Sequence, residues 1–110
     1  MDENRFYGYW PINEMEMWDQ DFIDAEVPGY IQFSDDGMGD FQFGYVHGFM
    51  DCQFSMKNGK DFVDFSWEGN DEMDPVSGRG FATIEGGVLN GHLFFHQGDD
   101  SEFKAIREME

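Results

Sequence analysis

The stretch from Phe65 to Phe81, FSWEGNDEMDPVSGRGF, holds the residues of this chain whose types and spacing are best suited to chemistry. Its carboxylates crowd into seven positions, and Asn70 lies among them. They are Glu68, Asp71, Glu72 and Asp74. A hard cation such as Ca²⁺ takes about six to eight oxygen ligands, and a loop rich in carboxylates supplies several of them. The stretch is therefore a candidate metal site for a divalent cation.

Two other interpretations of this stretch stay open. It lacks the D-x-[DN]-x-[DN]-G order of an EF-hand, and in a strongly acidic chain a run of carboxylates is usually a solvated rim. Alternatively, Asp71 or Asp74 holds Arg79 in a bidentate pair, which guanidinium geometry favours. Strand-like aromatic runs flank the stretch on both sides, so we expect it to form a long ordered connection between two core strands.

A second acidic segment, WDQDFIDAE, follows the first predicted strand. Its carboxylates are Asp19, Asp21, Asp24 and Glu26. They could complete a cation site together with the first stretch. Acids in the first turn of a short helix also complement the helix dipole without any ligand, and this second interpretation is favoured.

The histidines and the cysteine offer little support for catalysis. On a strand, His92 and His96 would lie roughly 13 Å apart, too far to share a zinc ion. The lone Cys52 has no base motif nearby in the sequence and is expected to be a small buried residue. No phosphate-binding loop, nucleophile elbow or Cys/His dyad is present. We therefore expect a non-catalytic protein.

The charge of the chain excludes several classes of partner. Its 24 acidic and 6 basic side chains give a net charge of -18, which repels nucleic acid and anionic lipid. The start, MDENRFYGYW, resembles neither a signal peptide nor a membrane helix. No nucleic acid and no membrane is expected as a partner, and a cytoplasmic location follows.

Strand patterns dominate the rest of the sequence. Residues Phe41, Phe43 and Tyr45 alternate with small or polar residues and are expected to face a core. Asn58-Gly59 predicts a tight hairpin, and Pro11 predicts an interruption in the first strand. About eight strands with short connections predict a single all-β domain over residues 1–110, an antiparallel meander barrel, with a β-sandwich as the alternative.

Gly8-Tyr9-Trp10 resembles the Gly-x-Trp motif of the calycin group, the lipocalin-like and avidin-like barrels. The tail GDDSEFKAI is similar to the last strand of avidin-like proteins. The resemblance implies that Trp10 closes one end of a barrel beneath a basic side chain, for which Lys104 and Arg107 are the candidates. As a whole, the chain resembles a family of small, acidic, functionally uncharacterised bacterial proteins, which implies no activity.

These observations favour a module that binds a small apolar or aromatic ligand inside the barrel. The expected ligand-binding residues are Trp10, Tyr45, Trp67, Arg79, Phe81 and Phe95. An acidic interaction protein that binds a basic partner is one alternative, and a Ca²⁺-binding domain is another. No cofactor is expected beyond such a cation. The oligomeric state is open, with a homodimer through an exposed strand as one alternative.

Overall fold

The computed structural model describes residues 5–107, which form a closed barrel of eight antiparallel strands. The strands are β1 (Gly8–Met15), β2 (Tyr30–Phe33), β3 (Met38–Phe43), β4 (Val46–Lys57), β5 (Lys60–Asp71), β6 (Asp74–Glu85), β7 (Val88–Phe95) and β8 (Asp100–Ile106). Each strand pairs with the next in the chain, and β8 pairs with β1. The predicted meander barrel is confirmed, and the alternative of a sandwich is wrong.

A single turn of helix, α1 (Gln20–Ile23), lies between β1 and β2. The end of the barrel that it contacts is called the α1 end, and the opposite end, where Trp10 lies, is called the Trp10 end. No helix within residues 5–107 has the length and apolar character needed to cross a membrane.

Tight turns join the long strands, as the sequence predicted. Asn58 and Gly59 have φ angles of 53° and 78°, the positive values that a two-residue hairpin turn requires. Gly86 and Gly87 form the corresponding turn between β6 and β7, with φ angles of 59° and 81°.

Inward-facing glycines make room for the aromatic core. Gly80 is the cross-strand partner of Phe65, and an added Cβ there would lie 2.5 Å from the Phe65 ring. Gly91 stands in the same relation to Phe103, with a distance of 2.4 Å. Separations this short are below van der Waals contact, so a side chain at either glycine would displace the ring. The glycines therefore allow large rings to pack inside a narrow barrel.

Strand β1 changes partner at Pro11, where the sequence predicted an interruption. From Gly8 to Pro11 it pairs with β2, and from Ile12 to Met15 it pairs with β8, with a shift in register before Glu14. The strand is continuous, but the residue that lacks an N–H lies at the change of partner. A missing backbone donor does little harm at such a position.

Arg107 covers the indole of Trp10 and so closes the Trp10 end. Its guanidinium carbon lies 4.1 Å from the ring centre, and its two terminal nitrogens donate to the carbonyls of Tyr7 and Arg5. Trp10 is 1% exposed and donates from Nε1 to the carbonyl of Phe6 over 2.9 Å. Of the two basic residues that the resemblance suggested, Arg107 lies over Trp10 and Lys104 lies on the outer wall.

The acidic stretch does not form the long connection that we expected. Strand β5 continues to Asp71 and β6 begins at Asp74, so only Glu72 and Met73 connect them. The prediction was wrong because the polar side chains occupy outward or terminal positions of a long hairpin, where they need no loop. This hairpin extends beyond β7, since β6 pairs with β7 only from Gly78 onward.

Two aromatic residues expected inside the barrel lie outside it. Tyr45 is 42% exposed, because Gly44 adopts a φ of 57° and the pair forms the turn between β3 and β4. Phe81 is 38% exposed and lies outward on β6, since its neighbours Gly80 and Ala82 face the core. Its ring stacks on Phe62, with ring centres 5.9 Å apart.

A polar network ties β2, β3 and β4 together on the outer wall. Asp40 accepts hydrogen bonds from Tyr30 Oη at 2.6 Å and Gln32 Nε2 at 2.9 Å, and it contacts His47 Nε2 at 3.1 Å. Burial alone would raise the pKa of Asp40, but these hydrogen bonds and the charge of His47 lower it below its ordinary value. The ionised carboxylate is therefore stabilised by folding.

We predict that Asp40→Asn lowers the free energy of unfolding by about 1.5 kcal/mol at neutral pH, the contribution of hydrogen bonds to a charged group. Because the folded state lowers the pKa of Asp40, its stabilisation is complete above the unfolded value of 3.8 and is lost as pH falls below it. Urea titrations between about pH 2 and about pH 7 should show the free energies of unfolding of the two proteins converging in acid. The matched control is Asp51→Asn on the outer face of β4, which removes an exposed carboxylate and should leave the free energy of unfolding at neutral pH close to that of the parent protein.

We also predict that Arg107→Gln lowers the free energy of unfolding by about 2 kcal/mol, since it removes a cation–π contact and two charged hydrogen bonds. Lys104→Gln is the control, because this lysine faces outward on β8, whereas Arg107 lies just past the end of that strand and over Trp10. Equal urea midpoints for the two variants would contradict a closing role for Arg107.

Candidate functional site

The α1 end is built by capping interactions that the second acidic segment supplies. The Asp19 carboxylate accepts from the backbone N–H of Phe22 at 3.0 Å and caps α1. Asp24 accepts from the backbone N–H of Gly29 at 2.7 Å. The carbonyl of Ile23 accepts from the N–H of Gly44 at 2.8 Å and ties α1 to the β3–β4 turn. Asp19 therefore caps the start of α1, in keeping with the favoured interpretation, whereas Asp24 lies at the C-terminal end of the helix and holds the loop that follows.

An aromatic cluster fills the region beneath α1. The ring of Trp18 lies 5.0 Å from that of Phe43 and 6.1 Å from that of Phe22, measured between centres. Phe95 contacts Trp18 at 6.2 Å and, deeper in the barrel, Trp67 at 5.2 Å. Aromatic pairs at these separations stabilise the fold by more than the burial of their apolar area alone. The cluster forms the floor and one wall of a recess.

This recess, the α1-end pocket, has a volume of about 370 Å³. Its walls combine the aromatic cluster with the ends of β4, β5 and β6 and the β7–β8 turn. It is lined by Trp18, Phe22, Phe43, Val46, Asp71, Val76, Phe95, His96, Gly98 and Asp99. A recess of this size, largely apolar with a few polar groups at its edge, has the character of a small-molecule site.

The barrel interior offers no comparable space. A void between the core side chains measures about 10 Å³, the space of roughly one water molecule. It is lined by Ile12, Met15, Ile31, Phe41, Phe43, Leu93 and Phe103. The expectation that a ligand fits inside the barrel has no support in this packing.

The structure separates the predicted ligand-binding residues. Phe95 lines the α1-end pocket, and Trp67, 3% exposed, lies beneath it. Trp10 is at the opposite end under Arg107, and Tyr45 and Phe81 are exposed. Arg79 lies on the outer face of β6, with its guanidinium carbon 4.2 Å from the ring centre of Phe94.

Arg79 does not pair with the acids beside it in the sequence. Its cross-strand partner is Ser66, whereas Asp71 pairs with Asp74 at the tip of the hairpin. Five positions along β6 separate Arg79 from Asp74, roughly 16 Å on an extended strand. The predicted Arg79 network is therefore wrong.

The predicted metal ligands also do not converge. Glu68 and Asp71 are three residues apart on one strand and so face opposite sides of the sheet. Among residues 5–107, no three His, Cys, Asp or Glu side chains could hold a metal ion together. His92 instead contacts Asp100 on the outer wall. A cation site at Glu68, Asp71, Glu72 and Asp74 stays a prediction without geometric support.

Sequence reasoning missed Trp18 and Phe22 as lining residues of the pocket. The available signal was their position: both lie in the segment between β1 and β2, where the chain must cross the end of the barrel. His96 and Asp99 lie in the turn between β7 and β8, where the Phe95 N–H donates to the Asp99 carbonyl at 2.9 Å. This turn also forms the rim of the pocket.

Comparisons with protein-family models, curated proteins and solved structures yield no match to this chain. The eight-stranded barrel is thus established by its own geometry, and membership of the calycin group stays a prediction.

Cys52 lies inward on β4 and is buried. Burial, assisted by the negative charges of Asp51, Asp36 and Asp64, raises the pKa of its thiol to about 12. The thiol is protonated at neutral pH and does not serve as a nucleophile.

We predict that iodoacetamide at mildly alkaline pH modifies native Cys52 about a thousandfold more slowly than the unfolded chain, because the thiolate fraction falls with the raised pKa. Mass spectrometry after timed quenching gives the two rates. In the control, Cys52→Ala combined with Ser66→Cys, the thiol sits on the outer wall and should react quickly in the native protein. Rapid native alkylation of Cys52 would contradict the assignment.

Proposed function

We propose that this protein is a non-catalytic binding module that takes a small, positively charged aromatic ligand in the α1-end pocket. The observation that carries the proposal is the joint presence of four aromatic rings and two carboxylates around a recess of about 370 Å³. The resemblance to calycin barrels, which bind small ligands, agrees with it.

The aromatic walls favour a flat ligand. The half-buried rings of Trp18 and Phe22 stack at an interplanar angle of 22°, and Phe95 meets Trp18 at 62°. A ligand ring that packs against the exposed parts of these rings gains stacked or edge-to-face contacts. A cationic group near the indole face adds a cation–π contribution.

The charges favour a cation. Asp71 and Asp99 line the pocket, and the whole chain carries a net charge of -18. Such a field concentrates small cations at the surface and opposes anions. An ammonium group beside the two carboxylates therefore gives the ligand both orientation and affinity.

The distribution of acids lends less support to an acidic interaction protein. Carboxylates occupy the outer faces of several strands, including Asp40 on β3, Asp64 on β5 and Glu102 on β8. Others lie in turns at both ends of the barrel. A protein that binds one basic partner through a continuous face is expected to gather them on one side. The basic partner, the Ca²⁺ ion, the homodimer and the cytoplasmic location stay predictions.

We predict that tyramine binds about fivefold more tightly than 4-methylphenol, because only tyramine carries the ammonium group. Isothermal titration calorimetry at low ionic strength measures both affinities. Asp71→Asn and Asp99→Asn should each reduce the advantage of tyramine, and Trp18→Leu should weaken both ligands.

The matched control is Asp64→Asn, which removes a carboxylate from the outer wall and leaves the pocket unchanged. It should bind tyramine as the parent protein does. If neither phenol binds, or if Trp18→Leu leaves both affinities unchanged while its thermal transition is intact, the pocket is not the site.

A further inference from the structure

A groove on the outer wall of the barrel is separate from the α1-end pocket. It has a volume of about 310 Å³, within the range of small-molecule sites. Strands β6, β7 and β8 supply most of its lining, and Glu14 on β1 lies at its far side. The groove shares no lining residue with the α1-end pocket. We call this space the outer-wall groove.

The register of β6, β7 and β8 places the lining side chains on one face of the sheet. Two neighbouring rows cross these strands: Phe81, His92 and Glu102 in one, and Thr83, Asn90 and Lys104 in the other. Phe81 is exposed, and residues two positions apart on a strand share a face, so both rows point outward. A ligand in the groove therefore meets both rows without crossing the sheet.

Aromatic rings in contact form a row on the outer wall, and the middle of this row lines the groove. The ring centres of Phe62 and Phe81 are 5.9 Å apart, as are those of Phe81 and His92. Phe94 follows, with its ring centre 4.5 Å from that of His92. The planes of successive rings differ by 19°, 27° and 21°. The row is therefore a continuous strip of stacked rings.

Cations lie over the rings at the two ends of this row. Lys57 Nζ is 4.4 Å from the centre of the Phe62 ring, and the guanidinium carbon of Arg79 is 4.2 Å from the centre of the Phe94 ring. Phe81, between these ends, is exposed and lines the groove. The middle of the row therefore offers the aromatic surface on which a ligand can stack.

The ring of His92 is held in place beside Phe81. Its Nε2 lies 2.5 Å from Oδ2 of Asp100, which pairs with Phe94 across β7 and β8. The His92 ring also stacks on Phe94. A ring that is held on two sides loses little freedom when a ligand binds, so the aromatic wall of the groove is preorganised.

The polar residues of the groove supply hydrogen-bonding groups of both kinds. The Thr83 hydroxyl and the Asn90 amide each donate and accept hydrogen bonds. The Lys104 ammonium group donates, and the Glu102 carboxylate accepts. Within residues 5–107, the side chains of Thr83, Asn90 and Lys104 form no hydrogen bond or ion pair. These groups are therefore available to the hydroxyl groups of a ligand.

The charges in the groove favour a neutral ligand. Lys104 pairs with Asn90 on one side and with Glu14 on the other, so its ammonium group lies among the polar residues and opposes a cation. Glu14 and Glu102, together with the net charge of -18, oppose an anion. A neutral ligand with many hydroxyl groups meets neither repulsion.

We propose that the outer-wall groove binds a neutral saccharide, with one sugar ring stacked on Phe81 and its hydroxyl groups hydrogen-bonded to Asn90 and Lys104. The C–H groups on one face of a sugar ring are apolar and weakly positive, whereas the face of an aromatic ring is negative. Sugar hydroxyl groups both donate and accept hydrogen bonds, as these polar side chains require. This binding is independent of the α1-end pocket, because the two sites share no lining residue.

Titrations with maltotetraose, cellotetraose and tetra-N-acetylchitotetraose, followed through the backbone amide signals in two-dimensional NMR spectra, test this proposal. At least one of these neutral tetrasaccharides should bind and shift the amide signals of Phe81, Asn90 and Lys104. Its affinity should not change when NaCl is added, because screening does not act on a ligand without charge. Tetragalacturonate, in which each ring carries a carboxylate, should not bind.

Phe81→Leu should weaken saccharide binding about tenfold, because leucine keeps an apolar side chain but removes the ring, and Phe81→Tyr should preserve binding. Asn90→Ala should weaken binding about fivefold. Phe49→Leu is the matched control. Phe49 is also exposed on the outer wall, and its ring centre lies 4.6 Å from that of His47, but it does not line the groove. Thermal unfolding checks that each variant is folded.

The outcomes separate the two sites. Trp18→Leu should leave saccharide binding unchanged, and Phe81→Leu should leave tyramine binding unchanged. The saccharide site is overturned if none of the neutral probes binds, if Phe81→Leu weakens binding no more than Phe49→Leu does, or if Trp18→Leu abolishes it. None of these results decides whether tyramine binds in the α1-end pocket.

Discussion

The packing of aromatic rings against inward-facing glycines is the contact on which the rest of the barrel depends. Rings from one strand occupy the space that a side chain on the neighbouring strand would need, as at Phe41 and Gly48, where an added Cβ would lie 2.5 Å from the ring. The buried phenylalanines can be accommodated in a narrow barrel only if such space is provided. The glycines supply it and also permit the strands to coil tightly enough to close.

This packing decides where a ligand can bind. Rings fill the interior, and Arg107 stacks on Trp10 at one end of the barrel. The recess that aromatic rings line therefore lies at the other end, beneath α1, while the other recesses lie on the outer wall. The long hairpin of β5 and β6 rises beyond β7 at the α1 end and forms one side of the pocket. The position of the pocket thus follows from the way the core is filled. Of the four carboxylates that the sequence suggested as a site, only Asp71 lines the pocket.

Much of the fold could be predicted, because turn chemistry and strand period are local properties. Asn58-Gly59 predicts its hairpin turn, and the alternation of Phe41 and Phe43 predicts β3, without reference to distant residues. The prediction of an inward Tyr45 was wrong because Gly44, with a positive φ angle, ends the strand before Tyr45. The prediction of an inward Phe81 was wrong because its neighbour Gly80 takes the inward position. The site was less predictable, since Trp18, Asp71 and Asp99 meet only after the chain has closed on itself. The predicted pairing of Arg79 with the nearby acids was wrong for the same reason. The register of the β5–β6 hairpin, which composition does not reveal, places Arg79 far from Asp74.

The pairing of β1 with β8 also has a consequence for how the chain reaches its native state. The side chain of Asn13 accepts a hydrogen bond from the N–H of Ile106, across 93 positions of sequence. During synthesis, β1 therefore lacks one of its two neighbouring strands until β8 has been made. Hairpins can form early and locally, but closure is a late, non-local event that slows folding. Until then two unsatisfied strand edges are available to other nascent chains, and the mutual repulsion of these acidic chains is what keeps them apart.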